Sequence, residues 1–136
     1  MRVLIDTNIV LDLILERENF VEDAEAIFLA QAQGRLSAYI SAITPSTAYY
    51  VARRTKGSAD ARNAVAVMLK ITHVAAVDHS VLQHAVGLPL TDYEDAIQLA
   101  GAMAEQLDAI VTRDANDFKG SPIPVFSPTE LLAKVK

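Results

Sequence analysis

The chain has 136 residues, of which 51% are hydrophobic, and its formal net charge is −5. That length suits one domain with a single core, so we take residues 1–136 as one domain. The absence of cysteine excludes disulfides, thiol nucleophiles and thiolate metal sites. No apolar run approaches the roughly 18–20 residues of a bilayer span, and no signal-peptide pattern is present, so we expect no membrane contact and a cytoplasmic protein. Because proteins that bind nucleic acid by phosphate neutralisation are usually basic, any such contact here should be local or bridged by metal.

Strand-like and helix-like segments alternate along the chain, as in a parallel sheet covered by helices on both faces. We therefore expect an α/β fold, a three-layer α/β/α sandwich whose mainly parallel central sheet has four or five strands. The strands are predicted at residues 2–5, 36–40, 72–75, 109–112 and 125–126. Helices are predicted after Asn8, at residues 21–33, 44–56 and 59–70, from Asp78 to Gly87, from Thr91, and after Ser127.

Capping signals mark the last two of these helices. Thr91 and Glu94 have capping-box spacing, and Ser127 with Glu130 repeats that spacing. On the helix after Thr91, an apolar face is predicted to carry Ala96, Leu99, Ala100 and Met103. The solvent-facing side is predicted to carry Glu94, Gln98 and Glu105.

Three aspartates that are distant in sequence are predicted to meet at one edge of the sheet. Asp6 directly follows the first strand, Asp114 follows the fourth by a short step, and Asp95 lies one turn into a helix. Ligands of doubly wound sheets bind beyond the carboxyl ends of the strands. Since Gln98 and Leu99 follow Asp95 by three and four residues, this carboxylate borders the apolar side of its helix and needs compensation. Gathered carboxylates repel each other unless a cation lies between them, which favours a divalent-metal site and metal-assisted phosphodiester hydrolysis.

Each acid also has a purely structural interpretation. Asp6 could cap the helix that follows it, Asp114 could be an ordinary turn residue, and Asp95 could pair with a buried Arg113. Asp92 lies three residues before Asp95 on the same side of the helix, where it could complement the helix dipole or join the site. Asn116 and Asp117 could reach a metal through water or could simply form a turn.

A basic patch, consisting of Arg53, Arg54, Lys56 and Arg62, flanks the turn at Gly57. Such a patch is typical of solvated helix ends, but it could also hold the phosphate backbone of a nucleic acid. Tyr49 and Tyr50 precede the patch and could stack a base, although core packing is the expected role. The three histidines, His73, His79 and His84, are interpreted as surface or packing residues.

At these positions the sequence resembles the PIN-domain family over nearly its whole length. The matching segments are residues 4–8, Ser41 with Thr44, residues 92–96 and residues 110–114. The resemblance implies an endoribonuclease that depends on Mg²⁺ or Mn²⁺ and acts on RNA. It also implies similarity to VapC-type toxins, which pair with an antitoxin protein and form homodimers.

The resemblance also assigns roles to residues. Asp6, Asp95 and Asp114 match the metal-binding acids, and Asp92 is a further candidate. We expect Asp6 and Asp114 to be primary ligands and Asp95 to bind through water or to complete a second ion position. The ion would make a water acidic enough to attack phosphorus. The supporting polar positions are Thr7, Asn8, Ser41, Thr112, Asn116 and Asp117.

One family position differs, because Thr47 replaces the glutamate that the family usually has in the helix after Ser41. The resemblance is to a branch that lacks this glutamate, with an acid such as Asp92 in its place. The alternative function is therefore a catalytically weak or inactive PIN-like module that binds RNA or protein. A second alternative is a phospho-acceptor receiver domain. It would need an acceptor aspartate after a middle strand and a lysine after a late strand, but the sequence has Ser41 and Arg113 at those places.

Overall fold

Five parallel strands form a single sheet in the computed structural model, which describes residues 1–136. The strands are β1 (Arg2–Ile5), β2 (Ser37–Ser41), β3 (His73–Ala75), β4 (Ala109–Val111) and β5 (Val125–Phe126). Their spatial order is β3-β2-β1-β4-β5, and every neighbouring pair is parallel. The predicted parallel sheet is confirmed, and each predicted strand lies within one residue of its observed bounds.

Seven α-helices surround the sheet. They are α1 (Thr7–Ile14), α2 (Val21–Ala32), α3 (Thr44–Lys56), α4 (Ser58–Ile71), α5 (His79–Val86), α6 (Tyr93–Ala104) and α7 (Pro128–Lys134). A 3₁₀ turn at Ala115–Phe118 follows β4. None of the helices combines the length and the apolarity that crossing a membrane would require.

Alternation along the strands divides the core into two layers. Val3 and Ile5 pack on one face of the sheet with residues of α1, α2, α3, α4 and α7. Leu4 and Ile110 point to the other face and pack with residues of α6, which in turn packs on α5. Because successive side chains of a strand point to opposite faces, these short apolar runs supply both layers. The predicted three-layer α/β/α sandwich is confirmed.

The direction of the strand order reverses at the centre of the sheet. From β1 the chain moves outward to β2 and β3, and then crosses to β4 and β5 on the other side of β1. Open α/β sheets bind ligands beyond the strand ends at such a reversal. Asp6 leaves β1 there, and its backbone N–H donates to the Val111 carbonyl at 2.9 Å. The topology therefore places the ends of β1 and β4 side by side.

The cap of α6 differs from the prediction. Asp92 is the N-cap, and its Oδ1 accepts a hydrogen bond from the Asp95 backbone N–H at 3.0 Å. The prediction of Thr91 as the cap is therefore wrong, because the adjacent carboxylate both accepts that bond and complements the helix dipole. The predicted capping box at α7 is confirmed, since Ser127 and Glu130 each accept a bond from the other's backbone N–H.

Candidate active site

An open cavity of about 400 Å³ lies at the carboxyl end of β1. Its walls come from Asp6 directly after β1, from α1 and the turn that follows it, and from α3, α6 and the 3₁₀ turn, so both helical layers contribute. Five of its eleven lining residues are acids and one is an arginine, which makes the cavity strongly negative. The lining residues are Asp6, Thr7, Asn8, Leu11, Arg17, Thr47, Val51, Asp92, Glu94, Asp95 and Asp117.

Asp6 is buried, with 4% of its surface exposed. Its Oδ2 accepts a hydrogen bond from Thr112 Oγ1 at 2.8 Å, and its Oδ1 accepts one from Gln98 Nε2 at 3.1 Å. Burial raises the pKa of Asp6, and these two hydrogen bonds oppose the rise. Asp6 is the N-cap residue of α1 without a well-formed capping bond from its side chain, although the Asn8 backbone N–H faces the carboxylate and also opposes the rise in its pKa. The carboxylate is therefore held by the neighbouring strand and by α6, in addition to its place at the start of α1.

Asp95 is half-buried on the first turn of α6, and Gln98 Nε2 also donates to its Oδ1, at 3.4 Å. Burial, followed by the negative charges of four acids, raises the pKa of Asp95 from 3.8 to about 7. The four acids are Asp6, Asp92, Asp117 and Glu94. No arginine compensates Asp95, because Arg113 pairs with Asp12 instead. The structure thus contains an acid whose ionised form has no fixed cation beside it.

Asp114 lies next to this cavity without lining it. It is half-buried, and its backbone N–H donates to Thr112 Oγ1 at 3.0 Å, so Thr112 connects the backbone of Asp114 to the carboxylate of Asp6. Its charge adds to the rise in the pKa of Asp6. No group of three or more His, Cys, Asp or Glu side chains is arranged so that it could hold a metal ion. The acids are gathered at one edge of the sheet but do not converge on one point.

Gln98 connects the two cavity acids with the start of α1. Its Oε1 accepts from the Thr7 backbone N–H at 3.1 Å and from Thr7 Oγ1 at 3.2 Å, while its amide nitrogen donates to Asp6 and Asp95. Thr7 Oγ1 also lies 2.9 Å from Thr44 Oγ1. This network joins α1, α3 and α6 and fixes the spacing between the two acids.

The other predicted supporting residues have different positions. Asn8 and Asp117 line the acidic cavity. Asn116 faces a separate cavity, which Asp117 also borders. Ser41 is buried and accepts a local hydrogen bond from the Ile43 backbone N–H at 3.3 Å, so it does not reach the cavity.

For two residues of α6, helical periodicity predicts the wrong environment. Gln98 was predicted to face solvent but is 1% exposed. Glu94 was also predicted to face solvent, yet it is half-buried and lines the cavity. Burial raises the pKa of Glu94, and the charges of Asp92 and Asp6 raise it further. Because α6 packs on the sheet and on α5 at once, one apolar stripe does not define its exposed side. The sequence signal for the burial of Gln98 is its position three residues after Asp95, because residues three apart lie on the same side of a helix.

Arg17 also lines the cavity and was not predicted. Its Nη1 donates to Asp12 Oδ1 at 3.3 Å. Arg113 donates to the same carboxylate, from Nε at 2.7 Å and from Nη2 at 3.1 Å, and its guanidinium lies 3.8 Å from the centre of the Phe20 ring. Nothing in the sequence pattern singles out Asp12, because it lies within the apolar sequence of α1.

The basic patch lies outside the acidic cavity. Arg62 lines a second open cavity of about 350 Å³, together with Tyr49 and Tyr50. The guanidinium of Arg53 lies 5.3 Å from the centre of the Tyr50 ring, and that of Arg62 lies 5.9 Å from the centre of the Tyr49 ring. Tyr50 is 53% exposed, so core packing is wrong for this residue. Its ring instead makes a favourable cation–π contact with the Arg53 guanidinium.

We expect the metal-free protein to lose stability as the pH rises through about 7. Because the pKa of Asp95 is raised on folding, from 3.8 to about 7, folding favours its protonated form. That contribution is complete below the unfolded pKa and is lost as the pH rises through the folded pKa. Asp95 is only half-buried, so solvent screening reduces the expected loss to about 1–2 kcal/mol. Thermal unfolding followed by circular dichroism between about pH 5 and pH 8 measures it.

Asp95→Asn should flatten this pH dependence, because the amide resembles the protonated acid. Asp23→Asn changes an exposed aspartate on α2 and should leave the wild-type pH dependence intact. If the stability of Asp95→Asn still fell with rising pH as much as that of the wild type, the pH dependence would come from other groups.

Comparison with known proteins identifies the family. A PIN-domain family model matches residues 2–116, and the chain therefore belongs to the PIN-domain family. A comparison with curated proteins finds no match.

Several solved structures share this fold. The structure of VapBC2 from Rickettsia felis, bound to a DNA fragment from their promoter, is similar with a TM-score of 0.70 and 17% identity, over 93% of this chain and 98% of that chain. A toxin–antitoxin complex from Klebsiella pneumoniae has a TM-score of 0.67 and 26% identity, over 93% and 97%. VapC20 of Mycobacterium tuberculosis, a sarcin–ricin loop cleaving toxin, has a TM-score of 0.64 and 15% identity, over 79% and 86%. The predicted PIN-like, VapC-like fold is confirmed.

Proposed function

We propose that this protein is a metal-dependent endoribonuclease that hydrolyses RNA phosphodiester bonds, and that it is the toxin of a toxin–antitoxin pair. The proposal is carried by five carboxylates that line one open cavity of a PIN domain, none of them in an ion pair. Two similar structures are toxin–antitoxin assemblies, and a third belongs to a toxin that cleaves the sarcin–ricin loop. Those similarities support the same chemistry here.

The donor set of the cavity suits Mg²⁺ or Mn²⁺. These cations prefer oxygen ligands, and Mg²⁺ typically binds through one or two carboxylates while keeping several waters. Asp6 and Asp95 would hold the ion, with Asp114 at the adjacent strand end. A cation would relieve the repulsion that raises the pKa of Asp95. When bound, the ion would activate a water for attack and would stabilise charge on the phosphoryl oxygens.

The residues around these acids orient them before any ligand arrives. Thr112 and Gln98 each donate to one oxygen of Asp6, so its carboxylate cannot rotate freely. The amide of Gln98 also holds Asp95, and its own carbonyl is fixed by Thr7. Because the spacing of this carboxylate pair is already fixed, the pair loses less conformational entropy when it binds a ligand.

The glutamate that the family usually carries at the position of Thr47 is replaced, we infer, by Glu94. Thr47 lines the cavity, so an acid at that position would reach it, but its hydroxyl donates to the Ile43 carbonyl instead. Asp92 was the sequence-based candidate, yet one of its oxygens caps α6. Glu94 lines the same cavity and makes no side-chain hydrogen bond or ion pair. Its carboxylate is therefore available to the site.

A second candidate function is an inactive PIN-like module that binds RNA or protein without cleaving it. Two observations favour it: no three acids are arranged to hold a metal, and Thr47 contributes no carboxylate. On this alternative the acidic cavity would be a remnant, and binding would depend on other surfaces.

A ribonuclease assay with and without EDTA separates the two functions. Purified protein is incubated with single-stranded and hairpin RNA in Mg²⁺ or in Mn²⁺, and Mn²⁺ binding is measured by calorimetry. The expected result is cleavage that EDTA abolishes and excess Mn²⁺ restores. Protein that binds RNA but neither cleaves it nor binds Mn²⁺ would favour the inactive module. A preparation of Asp6→Asn, purified identically, controls for contaminating nucleases.

We also propose two protein partners, an antitoxin and a second copy of this chain. A small DNA-binding protein encoded beside this chain is the expected antitoxin, in keeping with the assemblies named above. Co-purification after joint expression tests the first partner, and light scattering of the isolated chain tests the second. A monomeric mass at micromolar concentration would rule out a stable homodimer.

We propose that the basic patch guides RNA toward the acidic cavity. Arg54 follows Thr47 by seven residues and Val51 by three, so it extends the face of α3 that lines the cavity. Arg54 is exposed and makes no ion pair, whereas Arg53 stacks on Tyr50. These guanidiniums would contact phosphates that lie outside the cavity.

The double variant Arg53→Ala and Arg54→Ala is expected to weaken RNA binding several-fold at low salt. Each lost phosphate contact should reduce the slope of log affinity against log salt by about 0.7 for a single strand. Fluorescence anisotropy of a labelled oligonucleotide, titrated at increasing salt, measures both quantities. An unchanged slope would rule out this role for the patch.

A further inference from the structure

Arg17 has an unusual place in the acidic cavity, because it is the only basic residue that lines it and it pairs with none of its acids. Its single ion pair is with Asp12, which is not part of the cavity wall. A guanidinium that served to neutralise the cavity would contact Asp6 or Asp95. Instead, Arg17 is held to one side, and the cavity acids remain available to a cation.

The turn after α1 determines this position. Glu16 and Asn19 have φ angles of 50° and 74°, a left-handed conformation that is uncommon for residues with side chains. The turn brings the Arg17 backbone N–H back to the Asp12 carbonyl at 3.0 Å. Both the backbone and the side chain of Arg17 are therefore attached to the same residue of α1.

Asp12 is not sufficient to neutralise the cations around it. Its side chain is 1% exposed and receives two bonds from Arg113 and one from Arg17. One negative and two positive charges leave this group of three side chains with a net charge of +1. Arg113 makes the short bidentate pair with Asp12 and takes up its negative charge. The positive charge of Arg17 is therefore not compensated by Asp12.

The guanidinium of Arg17 also retains most of its hydrogen-bonding capacity. Of its five N–H donors, only one, on Nη1, has a partner in the protein. Its side chain is 34% exposed at the cavity wall. Free N–H groups in a planar fork match the oxygens of a phosphodiester, which binds arginine in a bidentate manner.

We propose that Arg17 binds a phosphate of the RNA substrate at the wall of the acidic cavity, and that Asp12 holds it in position for this. The inference rests on the proposed ribonuclease function. A negative cavity repels a polyanion, so a fixed cation beside the acids would compensate that repulsion for the phosphate nearest to the reacting centre. Arg17 would therefore bind substrate, and Asp12 would be a positioning residue.

The test compares Arg17→Gln and Arg17→Ala with Arg35→Ala. Glutamine can still donate to Asp12 but carries no charge, so it separates phosphate binding from the local structure. Arg35 precedes β2 at the opposite edge of the sheet and is the matched control. RNA affinity is measured by fluorescence anisotropy in EDTA, at several salt concentrations, and cleavage kinetics are measured in Mn²⁺.

Both Arg17 variants are expected to bind RNA about tenfold more weakly at low salt, since a hydrogen bond between charged groups is lost. Their slope of log affinity against log salt should fall by about 0.7, and KM should rise. Arg35→Ala should match the wild type. A merely structural role for Arg17 would change the melting temperature without changing the salt slope.

If Arg17→Ala does not fold, Arg17→Gln decides the question. A Gln variant with the wild-type affinity and slope would overturn the assignment while leaving the ribonuclease function intact. Wild-type protein that neither binds nor cleaves RNA would overturn both.

Discussion

Replacing Asp6 with asparagine is expected to reduce metal-dependent RNA cleavage by at least about a hundredfold, because loss of even an indirect metal contact typically costs 10- to 100-fold. Asn keeps the size of the side chain and can still accept a hydrogen bond from Thr112, but it lacks the charge that a divalent cation requires. The same substitution should also lower the affinity for Mn²⁺. Cleavage rates at saturating Mn²⁺ and calorimetric Mn²⁺ titrations measure the two effects separately.

The fold should tolerate this change. Burial raises the pKa of Asp6, so its ionised form is disfavoured in the metal-free protein and a neutral isostere relieves that cost. We expect the metal-free Asp6→Asn variant to unfold at a temperature no lower than the wild type at about pH 8. Asp60→Asn, on the exposed side of α4, is the matched control and should retain activity. Cleavage at the wild-type rate in Asp6→Asn would place the active site elsewhere.

Replacing Asp12 with alanine is expected to lower the free energy of unfolding by about 3–5 kcal/mol, because breaking a buried ion pair leaves an uncompensated charge. Asp12 is 1% exposed and accepts three hydrogen bonds from two arginines. The side chain of Arg113 is 23% exposed, so partial reorientation toward water should place the loss near the lower end of that range. Urea denaturation followed by circular dichroism measures it.

Two companion variants establish the cause. Asp12→Asn retains the shape and one acceptor oxygen, so its loss should be smaller than that of Asp12→Ala. Glu105→Ala removes the exposed pair with Arg2, whose side chains are 42% and 37% exposed, and should cost less than about 1 kcal/mol. If Asp12→Ala and Glu105→Ala lost the same free energy of unfolding, the burial of Asp12 would not explain its contribution to stability.

The strands and most helices could be predicted because their signals are local. Val3, Leu4 and Ile5 form a short apolar run that is fully buried in β1, as a central parallel strand requires. Gly57 ends α3 with a φ of 84°, which a glycine adopts without strain. In each case the physical cause lies within a few residues of its effect.

The N-cap residue of α6 was harder to predict, because two neighbouring residues can both fill that position. Thr91 and Asp92 are adjacent, and either side chain could cap α6. The extended backbone of Asp92, with φ −96° and ψ 126°, makes it the residue that precedes the helix. That backbone conformation depends on how the preceding segment approaches α6, which no local preference determines.

By itself, the sequence determined that this is a parallel α/β domain and that Asp6, Asp95 and Asp114 belong to one edge of its sheet. The position of an acid after a strand, or on the apolar border of a helix, is a local property that periodicity reveals. Only the tertiary structure decided that Arg17, Glu94 and Gln98 lie around the same acids. Their placement depends on the left-handed turn after α1 and on the burial of α6 from two sides, and both arise from contacts between residues far apart in the chain.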